Sequence, residues 1–205
     1  TVSESGGDDT SHRFVLYDDI DFAVSAADVT AREFFAAREA EDLACADCGT
    51  DKTGWASVSF GTYLCASCAN AHRSLGIRWS LVRRLADGWN WRQTELQVLR
   101  VGGNAALGSQ LQNFSDVQKL SHAEKYTSRF AEYYRRRLDA LCAKTPPPQP
   151  PPLESAATFS SGEFLSGVEA LALAEDAAQR FGVSVTAVRT KLPIRAVAST
   201  GSLDG

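Results

Sequence analysis

Four of the chain's five cysteines fall in two C-x-x-C pairs, Cys45-Ala-Asp-Cys48 and Cys65-Ala-Ser-Cys68, with sixteen residues between them. Each pair can clasp one metal ion from a tight turn, and two pairs complete a tetrahedron of thiolates. The chemistry implied is one structural Zn²⁺ ion on Cys45, Cys48, Cys65 and Cys68. With four protein ligands no position is left for water or substrate, so the ion fixes the fold and positions what lies beside it. Cys142 stands alone and reads as a small buried apolar residue. Beside the second pair runs Ala69-Asn70-Ala71-His72-Arg73-Ser74-Leu75-Gly76. Arg73 lies five residues past a metal ligand, on a short helix that the metal would hold. His72 reads as a packing residue, since four thiolates already fill the ion.

Ligand spacing alone leaves several classes open: DNA-binding fingers of the GATA type, ubiquitin-ligase modules and GTPase activators. A DNA-binding finger wants a basic recognition helix and a basic tail after the last cysteine pair. Here that position holds Ala69-Asn70-Ala71-His72, and the formal net charge of the 205 residues is −4, so no nucleic acid is expected as a partner. The charge is uneven. Residues 1–30 carry seven acids against Arg13, whereas residues 73–100 carry six arginines against Asp87 and Glu95.

The elements that must position these residues can be read from periodicity. Thr30 and Glu33 have capping-box spacing and predict a helix from about Val29 to Leu43. Ala56, Val58 and Phe60 alternate with Trp55, Ser57 and Ser59, which predicts a strand. A turn at Gly61-Thr62 and a return through Tyr63-Leu64 complete a hairpin between the cysteine pairs. A helix from about Ser67 to Leu75 ends at Gly76, and Ile77–Leu85 reads as a further strand. Helices are predicted from Trp91 to Val101 and around Leu107, Leu111 and Phe114, the second with Asn104, after two glycines, as its N-cap. A second capping box, Ser121 with Glu124, opens a long helix with Tyr126, Phe130, Tyr133, Leu138 and Leu141 on its apolar face. The run Thr145-Pro-Pro-Pro-Gln-Pro-Pro-Pro ends it and favours an extended, semi-rigid spacer. Phe164, Val168 and Leu171 predict an amphipathic tail helix, whose polar face takes Glu163, Glu169, Glu175 and Asp176. That acidity disfavours binding to anionic membranes.

These readings give an α+β fold: a small antiparallel sheet with a four-cysteine zinc finger, surrounded by helices. The chain divides into an acidic flexible arm at 1–27, the zinc domain at 28–144, a proline-rich linker at 145–152, and a tail at 153–205. Hydrophobic residues make up 44% and charged residues 22%, ordinary globular values. No apolar run approaches the ~20 residues of a membrane span. Paired metal-binding cysteines suit a reducing, cytoplasmic setting. The absence of methionine, even at residue 1, leads us to expect a piece of a longer or processed protein.

The stretch from residue 29 to 143 resembles the Arf GTPase-activating (ArfGAP) family. The resemblance rests on Cys45-x-x-Cys48-Gly49, Trp55-Ala56-Ser57-Val58, Phe60-Gly61 and Leu64-Cys65-x-x-Cys68. It continues through His72-Arg73-Ser74-Leu75-Gly76, Ser80-x-Val82-Arg83, Trp89 and Gly102-Gly103-Asn104. Trp55-Ala-Ser-Val, Trp89-Asn-Trp91 and Val101-Gly-Gly-Asn-Ala look most like the coatomer-associated branch that works on Golgi vesicles. The resemblance implies that Arg73 matches the family's arginine finger and that Trp55, Asn104 and Arg83 serve the partner surface. It implies an Arf-family GTPase in its GTP state as partner, coatomer as a further one, and a cytoplasmic protein peripheral at Golgi membranes. The chain would then be a GTPase activator in trans, not an enzyme on a free substrate. A non-catalytic Arf- or coat-binding adaptor is the alternative. Two departures stand out: Thr53 where many members have proline, and Ser80-Leu81-Val82-Arg83-Arg84 where Ser-Phe-Val-Arg-Ser is common.

Overall fold

The computed structural model describes residues 30–38, 40–86 and 91–181. The expected acidic arm, Trp89 and the last part of the tail lie outside the described residues. Thr30 caps the first helix, α1 (Ala31–Ala36), through the expected reciprocal pair with Glu33. The predicted continuation to Leu43 does not form as one helix. The chain leaves α1 and re-forms as a 3-10 turn at Ala40–Leu43. The break lets Asp42 reach across the fold, where its carboxylate accepts the Asn104 amide at 2.8 Å. Thr53 Oγ1 also donates to the Asp42 carbonyl at 3.2 Å.

Three short antiparallel strands follow: β1 (Trp55–Ser57), β2 (Thr62–Leu64) and β3 (Val82–Arg84), in the order β2-β1-β3. Trp55 pairs with Leu64 on one side and Arg84 on the other. The turn comes earlier than alternation predicts, at Val58–Gly61, with Gly61 at φ +58°. A Cβ on Gly61 would meet the Val98 carbonyl at 2.9 Å and the Gly102 Cα at 3.2 Å, so only glycine fits this left-handed corner. The Gly103 amide donates to the Gly61 carbonyl at 2.7 Å, which locks the hairpin to the loop between the third and fourth helices.

The second helix, α2 (Ala66–Leu75), stops at Gly76 as expected. Ile77–Trp79 form a turn instead of strand, because the Trp79 and Ser80 amides both return to the Gly76 carbonyl. Then come α3 (Gln93–Val101), α4 (Asn104–Leu111), α5 (Ser115–Gln118), α6 (His122–Tyr126) and α7 (Arg129–Cys142). The long helix predicted from Ser121 is thus two helices. Ser128 starts a new cap, with its hydroxyl accepting from the Ala131 amide at 3.2 Å. The tail forces the break: the Arg129 amide donates to the Thr158 carbonyl and the Ser160 amide to the Thr127 carbonyl, both at 2.9 Å. The apolar face shifts accordingly. Phe130, Tyr134, Leu138 and Cys142 are buried, while Tyr133 and Leu141 are half-buried. Burial pushes the Cys142 thiol up to about 12, consistent with an inert core residue.

The tail adds α8 (Leu153–Ala156) and α9 (Gly167–Phe181). Phe164 therefore precedes the helix, and Glu169 is not on a solvated face. Glu169 is 0% exposed and pairs at 3.0 Å with Arg135, which is 1% exposed and also donates to the Arg78 carbonyl at 2.9 Å. The connecting segment passes over Trp79, whose ring stands 5.5 Å from Phe159 and where a Cβ on Gly162 would meet the indole at 2.8 Å. No helix among the described residues is long and apolar enough to cross a membrane.

The buried pair sets a stability test. Glu169→Ala leaves the Arg135 charge uncompensated and should lower the unfolding free energy by about 3–5 kcal/mol. Arg135→Met combined with Glu169→Leu should recover most of that loss. Urea unfolding followed by circular dichroism measures both.

Candidate functional site

The first cysteine pair sits on a tight turn built by its own backbone. The Gly49 amide donates to the Cys45 carbonyl at 2.9 Å with Gly49 at φ +72°, and the Cys45 amide donates to the Thr50 carbonyl at 2.8 Å. The second pair opens α2, with Cys65 as its N-cap and the Cys68 amide 3.5 Å from the Cys65 sulfur. All four sulfurs lie within 4.8 Å of one another, and those of Cys48 and Cys65 are 3.7 Å apart. A tetrahedron with zinc–sulfur bonds of ~2.3 Å has edges of ~3.8 Å. The donor set is therefore compatible with a zinc ion in both chemistry and spacing. None of these cysteines is in a disulfide.

Arg73 stands exposed on α2, two turns after the second pair begins. Its guanidinium carbon lies 3.9 Å from the centre of the Trp55 ring, and its Nη1 donates to Asn70 Oδ1 at 3.2 Å. Trp55 is half-buried. One side packs on the small apolar cluster of Cys45, Leu64, Cys65 and Ala69, and its ring also faces Arg84 at 5.8 Å. It thus bridges the cysteine knuckle and Arg73.

Immediately before Arg73, His72 is fully buried. Its Nδ1 lies 2.8 Å from Ser80 Oγ, which is 2.8 Å from Ser57 Oγ, and its Nε2 lies 3.1 Å from Asp47 Oδ2. A neutral ring with the proton on Nε2 satisfies the chain: Nε2 donates to Asp47, and Nδ1 accepts from Ser80. Burial lowers the His72 pKa, and the facing Asp47 only partly offsets it. For Asp47, burial acts upward, but His122, His72 and the Tyr126 hydroxyl outweigh it and hold the carboxyl well below the usual range. Tyr126 donates to Asp47 Oδ1 from α6. Sequence reasoning expected His72 to pack, but missed Asp47, Ser80, His122 and Tyr126. Asp47 inside the Cys45–Cys48 turn was the available signal, since a carboxylate there needs donors.

Asn104 departs from the capping role its place after two glycines suggests. It is the first residue of α4, whose N-cap position is Gly103. Its Oδ1 accepts from the Tyr63 amide at 2.8 Å and its Nδ2 donates to the Ala44 carbonyl at 2.6 Å. One amide therefore holds the residue before Cys45 and the strand leading to Cys65. Arg83 turns toward α3, where its Nη1 meets the buried Glu95 carboxylate at 2.6 Å and its guanidinium lies 5.0 Å from the Trp91 ring. Glu95 also accepts from the Arg92 amide at 2.9 Å.

Residues 31–142 match a family profile described as "Putative GTPase activating protein for Arf". Among curated proteins, mouse ADP-ribosylation factor GTPase-activating protein 3 is 33% identical over 150 residues, covering 65% of this chain and 28% of that protein. The rat protein of the same name is 38% identical over 100 residues, covering 49% and 19%. ADP-ribosylation factor GTPase-activating protein GCS1 of Saccharomyces cerevisiae is 34% identical over 98 residues, covering 48% and 28%. The matched stretch spans under a third of the length of these relatives. A solved structure titled as a putative GTPase activating protein for ADP ribosylation factor, from Cryptosporidium parvum, overlaps 55% of this chain and 90% of that one. Its sequence identity is 24% and its TM-score 0.48. With more than half its length matched by the profile, across both cysteine pairs and Arg73, the chain belongs to the ArfGAP family.

Proposed function

We propose that this chain accelerates GTP hydrolysis on an Arf-type small GTPase in its GTP state, with Arg73 as an arginine finger supplied in trans. The observation that carries the reading is the exposed position of Arg73 on α2, the helix whose first turn holds Cys65 and Cys68. Cys45, Cys48, Cys65 and Cys68 would hold one structural Zn²⁺ ion. Bound there, the ion ties the hairpin, the first turn and α2 into one unit.

Phosphoryl transfer spreads negative charge over the γ-phosphate oxygens, and a planar, permanently charged guanidinium neutralises it. A finger of this kind is worth about 10³–10⁵ in rate, or roughly 4–7 kcal/mol. In the free chain Arg73 rests on Trp55 and Asn70. An exposed cation–π contact contributes about 0.5–1 kcal/mol. The transition-state term is several times larger, so release from this resting place does not limit the finger. The GTPase would supply Mg²⁺, the nucleotide and the residue that orients the attacking water. This chain would supply Arg73 and a docking face on which Trp55 is the central aromatic anchor. Arg83 would serve at its edge. Asn104 would support it from behind by fixing both arms of the knuckle.

We assign the activating unit to residues 28–144, the proline run 145–152 to a linker and 153–205 to a tail. The likeness of the Trp55, Trp91 and Gly102-Gly103-Asn104 motifs to the coatomer-associated branch supports a place in Golgi vesicle traffic. There the protein would act from the cytoplasm, peripheral to the membrane, with coatomer as a further partner.

Single-turnover hydrolysis by Arf loaded with GTP tests the assignment. Wild type should accelerate the reaction by at least about 10³-fold, and Arg73→Lys should lose nearly all of that while keeping its zinc and its melting temperature. No acceleration by wild type across several Arf isoforms would reject the activator reading and favour the adaptor. The metal makes a separate claim. Stripping it with a chelator at neutral pH should abolish cooperative unfolding, because structural zinc contributes about 10–16 kcal/mol to such folds, and added Zn²⁺ should restore it.

A further inference from the structure

A second donor cluster lies beside the thiolates. Asp47, His72 and His122 place a carboxylate oxygen and two ring nitrogens within 4.8 Å of one another. They come from three places in the chain: the first cysteine turn, α2 and the start of α6. His72 Nε2 and His122 Nε2 lie 3.1 and 3.3 Å from the same oxygen, Asp47 Oδ2. The two rings meet edge to face, with centroids 4.6 Å apart.

The two histidines are not equivalent. The His72 contact is a hydrogen bond. The His122 contact is longer and poorly directed: Nε2 is shielded from solvent and faces the same carboxylate oxygen at 3.3 Å without a well-aligned hydrogen bond to it. A buried ring nitrogen in that state is costly. A cation shared with Asp47 and His72 removes the cost. Bonds of ~2.0–2.2 Å from a divalent ion to nitrogen and oxygen set the donors of a tetrahedron ~3.3–3.6 Å apart; the 3.3 Å His122 separation lies at the edge of that interval, and the 3.1 Å His72 separation needs a small outward shift.

The surroundings fit a ligand set as well. With an ion on Nε2 the His72 ring carries its proton on Nδ1 and donates it to Ser80 Oγ, the reverse of the metal-free arrangement, and Asp47 Oδ1 accepts from Tyr126, so both inner groups are oriented from outside. The His72 side chain is fully buried and that of Asp47 is 8% exposed, but the His122 side chain is 26% exposed and gives an ion a route in. A divalent cation here would also offset the negative charge of Asp47 and, on the reading above, of a four-thiolate zinc site.

We propose that Asp47, His72 and His122 form a second divalent-metal site, two imidazoles and one carboxylate, for Zn²⁺ or an ion of similar softness. Such an ion ties α6 to the cysteine turn and to the residue preceding Arg73.

The test counts ions on the full chain. Protein saturated with Zn²⁺ and then desalted should carry two equivalents by native mass spectrometry. His122→Leu should carry one, and so should Asp47→Asn. Loading with Co²⁺ separates the sites: the thiolate site gives sulfur-to-cobalt charge-transfer absorption, and the second equivalent adds none. His122→Leu should keep that absorption at full intensity and Cys48→Ser should weaken it by about a quarter or more, so failure of the thiolate reading is seen separately. One equivalent in wild type at saturating Zn²⁺ overturns the proposal, as does a second equivalent that survives in both His122→Leu and Asp47→Asn.

Discussion

Everything around Arg73 depends on the convergence of Cys45, Cys48, Cys65 and Cys68. The sheet they flank has only three residues in each strand, and a hairpin of that size is marginal on its own. The apolar cluster at the knuckle is also small, with only Leu64 and Ala69 added to the cysteines as buried members. Hydrophobic burial there cannot hold two turns and the start of a helix in register. A four-thiolate metal site can, and the 3.7 Å sulfur separation is what such a site requires.

The knuckle must also be fixed to the body of the domain, or a rigid α2 would have nothing to push against. Polar clamps and glycine contacts make that link. Asn104 binds the backbone on both sides of the cysteine hairpin. Asp47 reaches from inside the first turn to His72 on α2 and Tyr126 on α6. Gly61 and Gly102 let the hairpin corner touch the end of α3 backbone to backbone. The main core of Phe60, Tyr63, Leu96, Phe130, Tyr134 and Leu138 lies behind these contacts, fully buried. Helix α2 is thus braced from the cysteine side and the core side.

The parts of this arrangement legible in the sequence are those with local causes. Cysteine spacing, the Thr30 and Ser121 capping boxes, Gly76 as a stop and the Trp55 strand all follow from contacts a few residues apart. The misread parts have distant causes. Helix α1 ends early because Asp42 is drawn to Asn104, and the helix expected from Ser121 breaks because residues 158–160 pair beside Ser128. Glu169 read as a solvated acid because periodicity carries no information about Arg135 across the fold. Asn104 is the instructive case at the site itself. Its place after two glycines suggested a cap, whereas its partners are 41 and 60 residues away in sequence.

The central claim is that a metal-anchored helix offers Arg73 to charge that develops only during hydrolysis. Arf loaded with GDP and aluminium fluoride mimics that charge, whereas a non-hydrolysable GTP analogue mimics the ground state. The most direct measurement is calorimetric binding of wild type and Arg73→Ala to both forms. The account predicts that wild type binds the aluminium fluoride form much more tightly than the analogue form, and that Arg73→Ala removes the difference while leaving analogue binding nearly unchanged. Equal affinity of wild type for the two forms, or a preference that survives Arg73→Ala, would contradict it.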